Sequence, residues 1–212
     1  MSGLSVREAL VAATQELSGA GIKDAARDVR RLAEHVLGLE AGRLTLVLPD
    51  PIADDALASL NEAVARRKAR QPLAQITRRR EFWGRVFHVT PDVLDPRPET
   101  ETLVRVALAQ PFSRVLDLGT GSGCILLTLL AERPSAVGQG VDASADALAV
   151  AKKNAVRLGL AERAGFAASD WFSAVSGRFD LIVANPPYIA TAELATLEPE
   201  VRDWEPLAAL CP

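Results

Sequence analysis

Cysteine is scarce: the 212 residues hold two, Cys124 and Cys211. One lies inside a glycine-rich segment and the other at the penultimate position, so they offer neither metal-ligand spacing nor a disulfide framework, and a reducing cytoplasm is expected. Excess charge is lacking as well. With 24 Lys and Arg against 27 Asp and Glu the net charge is -3, so global electrostatics recruit the chain neither to nucleic acid nor to an anionic membrane, and any such contact must be local. No apolar run approaches the roughly 20 residues that a membrane-spanning helix needs. The opening stretch "MSGLSVREALVAATQEL" carries charge within an amphipathic pattern, so no signal peptide is expected. Internal repeats and low-complexity tracts are missing, and Tyr occurs once, at position 188. Apolar residues, at 49%, are plentiful, enough for the core of one large domain or of a medium domain plus a small one.

The first seventy residues are rich in Ala, Leu, Arg and Glu and predict helices over 5–17, 24–37 and 54–69, separated by turns containing Gly, Pro and Asp. In the second of these Val29, Leu32, Ala33, Val36 and Leu37 share one face, while Arg27, Arg30, Arg31 and Glu34 take the other. A small helical bundle follows from that pattern. From Glu81 the text changes to "EFWGRVFHV", a short hairpin about Gly84. In "DPRPETETLVRVAL" Pro98 stands at an expected first helical position, with acids in the first turn where the helix dipole favours them. Thereafter strands and helices alternate: "RVLDLG", a helix over 122–132, "AVGQGVD", a helix over 144–158 closed by Gly159, "AGFAAS" and "FDLIVA". Such alternation predicts a parallel sheet flanked by helices. The two glycines of "AVGQGVD" make it the weakest of these strands.

"LDLGTGSGC" sets Gly119, Gly121 and Gly123 between a strand and a helix. Glycines there let the backbone turn tightly and approach a ligand, and the N–H groups of the following helix favour electron-rich atoms. A phosphate-gripping loop would need Gly-Lys-Ser/Thr, and no Lys follows; the dinucleotide fingerprint would need a glycine where this chain has Cys124. The spacing Asp-x-Gly-x-Gly-x-Gly instead resembles the first motif of S-adenosylmethionine-dependent methyltransferases. Asp142 ends the second strand, where a carboxylate can accept both ribose hydroxyl protons or, alternatively, cap a helix. Asp170 and Trp171 follow the third strand, where a polar group and a ring could border an adenine, unless Trp171 is simply core.

"NPPY", residues 185–188, stops the fourth strand. A residue before proline is pushed out of the helical region and each proline fixes its own φ, so Asn185, Pro186 and Pro187 form a stiff turn at the carboxyl end of a strand, where open α/β sheets bind ligands. The Asn185 side-chain carbonyl and the Pro186 backbone carbonyl can each accept one proton of an NH2 group, and Tyr188 offers a ring face to a planar substrate. The motif marks an amide or exocyclic amine acceptor. A proline-rich turn that merely ends a strand is the bland alternative.

"DLGTGSGCILL", "VDAS", "SDWF" and "NPPYI", preceded by "DPRPETE" and a helical N-terminal stretch, resemble the peptide chain release factor glutamine methyltransferases, the PrmC/HemK family, over essentially the whole chain. The resemblance implies an α/β fold: a Rossmann-like S-adenosylmethionine-dependent methyltransferase sheet preceded by a small helical-bundle domain. The implied division is a helical substrate-binding domain over 1–78, a hairpin linker over 79–97 and the methyltransferase domain over 98–212. It also implies S-adenosyl-L-methionine as cofactor, contacted by Asp117, Leu118, Gly119, Thr120, Gly121, Asp142, Trp171 and Asn185. Asn185, Pro186, Pro187 and Tyr188 would meet the substrate, with Asn185, Pro186 and Tyr188 catalytic, no metal, and "RPET" (97–100) flanking the site. The implied acceptor is the glutamine amide of the Gly-Gly-Gln motif in class-one release factors.

NPPY is shared with DNA adenine methyltransferases, so a DNA or RNA adenine acceptor is the rival, although such enzymes usually carry a basic DNA face. The basic run here, Arg66, Arg67, Lys68, Arg70 and Arg78 to Arg80, reads as a solvated helix end, with contact to the partner or its RNA surroundings as the alternative. The resemblance further implies about three strands beyond "EPLAAL", so the sheet is expected to be C-terminally incomplete, truncated after its fourth strand. "FDLIVA" would then be an exposed apolar edge, and an inactive release-factor-binding fragment is a third reading.

Overall fold

The computed structural model describes residues 3–211. It divides into two compact units between Thr77 and Arg78. No helix among the described residues is long and apolar enough to cross a membrane.

The first unit is helical: α1 (Val6–Gly19), α2 (Ala25–Val36), α3 (Asp54–Lys68) and the short α4 (Leu73–Thr77). Ser5 starts α1 with a capping box, its hydroxyl accepting from the Glu8 N–H while the Glu8 carboxylate accepts from the Ser5 N–H at 2.8 Å, which satisfies two amides that have no partner within the helix. Val6, Ala9, Ala13 and Leu17 fall at helical spacing and are buried, joining Leu32, Leu44 and Leu60 in one core. The basic run is a solvated helix end only in part: Lys68, Arg78 and Arg79 are exposed, but others are tied into the fold. Arg67 is buried and donates to Asp28 at 2.7 Å, Lys68 pairs with Glu16, Arg66 donates to the Gln71 side chain, and Arg70 reaches the Ala20 carbonyl. The sequence pattern missed this because Asp28 lies 39 residues from Arg67, beyond any local charge pairing.

The second unit opens with a hairpin, β1 (Arg79–Phe82) against β2 (Arg85–His88). Trp83 and Gly84 turn it with φ of +51° and +67°, the mirror-image turn whose twist suits paired strands. Then follow α5 (Thr100–Leu108), β3 (Arg114–Leu118), α6 (Cys124–Glu132), β4 (Val137–Asp142), α7 (Ala145–Arg157), β5 (Ala164–Ala168), β6 (Leu181–Ala184) and the single turn α8 (Pro199–Arg202). The four later strands are parallel in the order β5-β4-β3-β6, with Asp117 registered against Gly140 on one side and Val183 on the other. Leu116 and Val115 of the central β3 are fully buried, as are Leu126, Leu127, Leu129 and Leu130 of α6.

Two helix starts differ from expectation. Thr100 rather than Pro98 opens α5, because Pro98 lies in a preceding turn in which the Thr100 N–H donates to the Arg97 carbonyl. Cys124 rather than Ser122 opens α6, because Gly123 at φ +78° is still outside the helix. The glycines of β4 have a packing reason. A Cβ at Gly138 would lie 2.5 Å from the Leu126 Cδ1, and one at Gly140 would lie 2.7 Å from the Thr120 Oγ1. β4 can therefore lie under α6 and the glycine turn only with no side chain at those two positions. Among the described residues "FDLIVA" forms an edge, with Ile182 of β6 half exposed.

Candidate active site

The turn after β3 is held from beneath. The Thr120 N–H donates to the Val141 carbonyl and the Gly123 N–H to the Thr120 carbonyl, while the Thr120 hydroxyl donates to Asp117 at 2.7 Å. Asp117 is completely buried, and burial pushes its carboxyl up to about 7 against the opposing pull of the Thr120 hydroxyl. Gly119 and Gly121, at φ +66° and +54°, would each direct a Cβ into empty space. They border a cavity of about 880 Å³ at the carboxyl ends of the strands.

The opposite corner is built by β4. Asp142 accepts from the Gly121 N–H through one oxygen and from the Ser144 N–H through the other, both at 2.9 Å. Two amides thus fix the carboxylate plane, and each oxygen keeps a lone pair for a ligand hydroxyl. Ser144 also caps α7, so the capping role considered for Asp142 falls to its neighbour. After β5 the chain bends through Ser169, whose hydroxyl donates to the Trp171 carbonyl and accepts from the Ala174 N–H. Trp171 has φ +48° and is half exposed, bordering the cavity rather than filling a core.

Asn185 and Pro187 line the same cavity from the end of β6, and Arg97 and Thr100 line it from the segment before α5. The cavity therefore gathers Gly119, Thr120, Gly121, Asp142, Asp170, Trp171, Asn185 and Pro187. It does not gather the remaining candidates. Asp117 and Leu118 lie buried behind the turn, Pro186 is outside the lining, and Tyr188 is 80% exposed. Asp117 therefore shapes the turn, while the Tyr188 ring is presented to solvent.

Sequence reasoning missed two residues. Asn154, 1% exposed on α7, accepts from the His88 N–H and donates to the carbonyls of His88 and Ser122, tying the hairpin to the glycine turn. No sequence signal marks a lone polar residue on an otherwise ordinary helix. Glu205 is buried and accepts from the Asp95 N–H and from Arg97. Its signal was an acid set against the apolar "PLAAL".

The site fits S-adenosylmethionine, a ligand with two ribose hydroxyls, a flat adenine and no phosphate: a fixed carboxylate, an exposed indole and a turn with room at its glycines are all present. That ligand supplies a methyl group on positively charged sulfur.

Residues 92–198 match the family model described as "Methyltransferase small domain", and residues 8–77 match that described as "PrmC N-terminal domain". The chain is 58% identical over 205 residues to the "Release factor glutamine methyltransferase" of Cereibacter sphaeroides, covering 97% of this chain and 74% of that protein. It is 49% identical over 197 residues to the Rhodospirillum rubrum protein of the same name, covering 92% of this chain and 61% of that one. Among solved structures the hMettl16 catalytic domain, in complex with MAT2A 3'UTR hairpin 6, aligns with a TM-score of 0.51 at 19% identity, over 68% of this chain and 56% of that one. That likeness concerns the fold alone. The helical unit, the glycine turn and the relatives converge: the chain belongs to the release factor glutamine methyltransferase family, S-adenosylmethionine-dependent enzymes.

Proposed function

We propose that the chain methylates, in the cytoplasm, the side-chain amide nitrogen of the glutamine in the Gly-Gly-Gln motif of class-one peptide chain release factors. The observation that carries the reading is Asn185, at the end of β6 and in one cavity with the glycine turn and Asp142. An amide nitrogen is a poor nucleophile because its lone pair is delocalised. Its two protons can be accepted by the Asn185 side-chain carbonyl and the Pro186 backbone carbonyl, on a turn that two prolines stiffen. Orientation of this kind lowers the barrier without a strong base: as the N–CH3 bond forms, the S–CH3 bond would break with its electron pair left on sulfur as a neutral thioether, and the methylated nitrogen, made acidic by its positive charge, would release one proton to solvent. Asp142 accepts from the ribose hydroxyls, Trp171 borders the adenine, and Gly119 and Gly121 permit close approach. Pro187 and Tyr188 border the incoming peptide.

The test offers labelled S-adenosylmethionine with purified class-one release factor in one reaction and with adenine-containing duplex DNA in another. Label in the release factor alone is expected. Equal label in the DNA would transfer the assignment to the adenine acceptor.

A further inference from the structure

The cavity has two rims far apart in sequence. One is the segment before α5, including Leu94, Pro96 and Arg97; the other follows NPPY and includes Pro206, Leu207 and Ala209. Glu205 joins them. Its Oε2 accepts from the Asp95 N–H at 3.2 Å and its Oε1 accepts from the Arg97 guanidinium at 3.2 Å, 110 and 108 residues away. The Glu205 side chain is 1% exposed and that of Arg97 38%, so the carboxylate end of the contact is buried. The same rim holds the exit of the NPPY turn, where the Ile189 N–H donates to the Leu210 carbonyl at 2.9 Å.

We propose that Glu205 is a positioning residue: by clasping Asp95 and Arg97 it closes the rim 206–211 over the cavity and holds the NPPY turn at the angle the methyl acceptor needs. The inference deepens the reading of the site given above and rests on it for the acceptor. The contact is specific because both carboxylate oxygens are used, one by a backbone amide and one by a charged side chain.

The surroundings make the clasp sensitive to pH. Burial pushes the Glu205 carboxyl up to about 7, opposed by Arg97, while burial also raises Asp95 against the pull of Arg80 and Arg97. Arg80 lies 3.3 Å from Asp95, and the other Asp95 oxygen is buried with no hydrogen-bond partner among the described residues. Because the buried, clasped carboxyl holds its proton more tightly than an exposed one, whose ordinary value is 4.5, the clasp is favoured at pH 6 and loosens as pH rises through about 7 to pH 8.

The test is amide hydrogen exchange on the full chain at pH 8, comparing wild type, Glu205→Ala and Glu205→Gln, with S-adenosylmethionine affinity measured by calorimetry at pH 6 and pH 8. Loss of a charge-assisted hydrogen bond should speed exchange at Asp95 and Ile189 by about tenfold or more in Glu205→Ala, with β3 and β4 unchanged. Glu205→Gln, which keeps an acceptor for the Asp95 N–H, should fall between. Affinity should weaken on going from pH 6 to pH 8 in wild type more than in Glu205→Gln. Protection at Asp95 and Ile189 matching wild type, or a rise spread equally over β3 and β4, would overturn the proposal. Exchange needs no methyl acceptor, so a wrong substrate assignment would leave this result untouched.

Discussion

Asp117 shows how one buried side chain couples the site to pH. Its carboxyl, pushed up to about 7 by burial, holds a proton more tightly in the folded chain than in the unfolded one, where the ordinary value is 3.8. The native state therefore binds more protons between those values, so this group's contribution is full below about pH 4 and is lost as pH rises through about 7. Asp117→Asn should flatten that slope, which denaturant unfolding at pH 4.5 and pH 8 will show as a gain at the higher pH only. Asp28 is the counterpart in the helical unit. Removing it takes away the carboxylate that sits 2.7 Å from the buried Arg67 guanidinium, and Asp28→Ala should cost about 3 kcal/mol in urea unfolding.

The glycine turn depends on what the neighbouring strands and helices leave free. Gly138→Ala would set a methyl against Leu126 and Val115, and overpacking of this kind should cost about 1 to 3 kcal/mol by thermal or denaturant unfolding. Asn154→Ala would strip three hydrogen bonds from His88 and Ser122 and should destabilise by about 2 to 3 kcal/mol, with faster hydrogen exchange at the His88 amide. These two residues also show what could be read from the chain alone. Alternating apolar strands and periodic helices announced the sheet, and "LDLGTGSGC" announced its turn, because period and turn chemistry are local. The β4 glycines obscured a strand whose helix-packing reason is visible only in three dimensions. The burial of Arg67 and the Glu205 clasp stayed hidden for the same cause: their partners lie tens to more than a hundred residues away.

The helical unit buries its own core, and among the described residues β6 is an edge strand of the parallel sheet. Among the described residues β6 pairs only with β3, with Ile182 half exposed, and an unpaired apolar strand side is a template for unwanted pairing. Ile182→Lys should raise the concentration at which the chain stays monomeric in light scattering while leaving the melting temperature nearly unchanged. The central claim concerns the other end of that strand, where Asn185 orients an amide beside the methyl donor. Single-turnover methylation of purified class-one release factor by wild type and by Asn185→Ala, with S-adenosylmethionine affinity measured in parallel, tests it most directly. Transfer should fall by about a hundredfold or more, because orientation is lost, while much of the cofactor binding survives through Asp142 and the glycine turn. Equal transfer rates in the two proteins would contradict it.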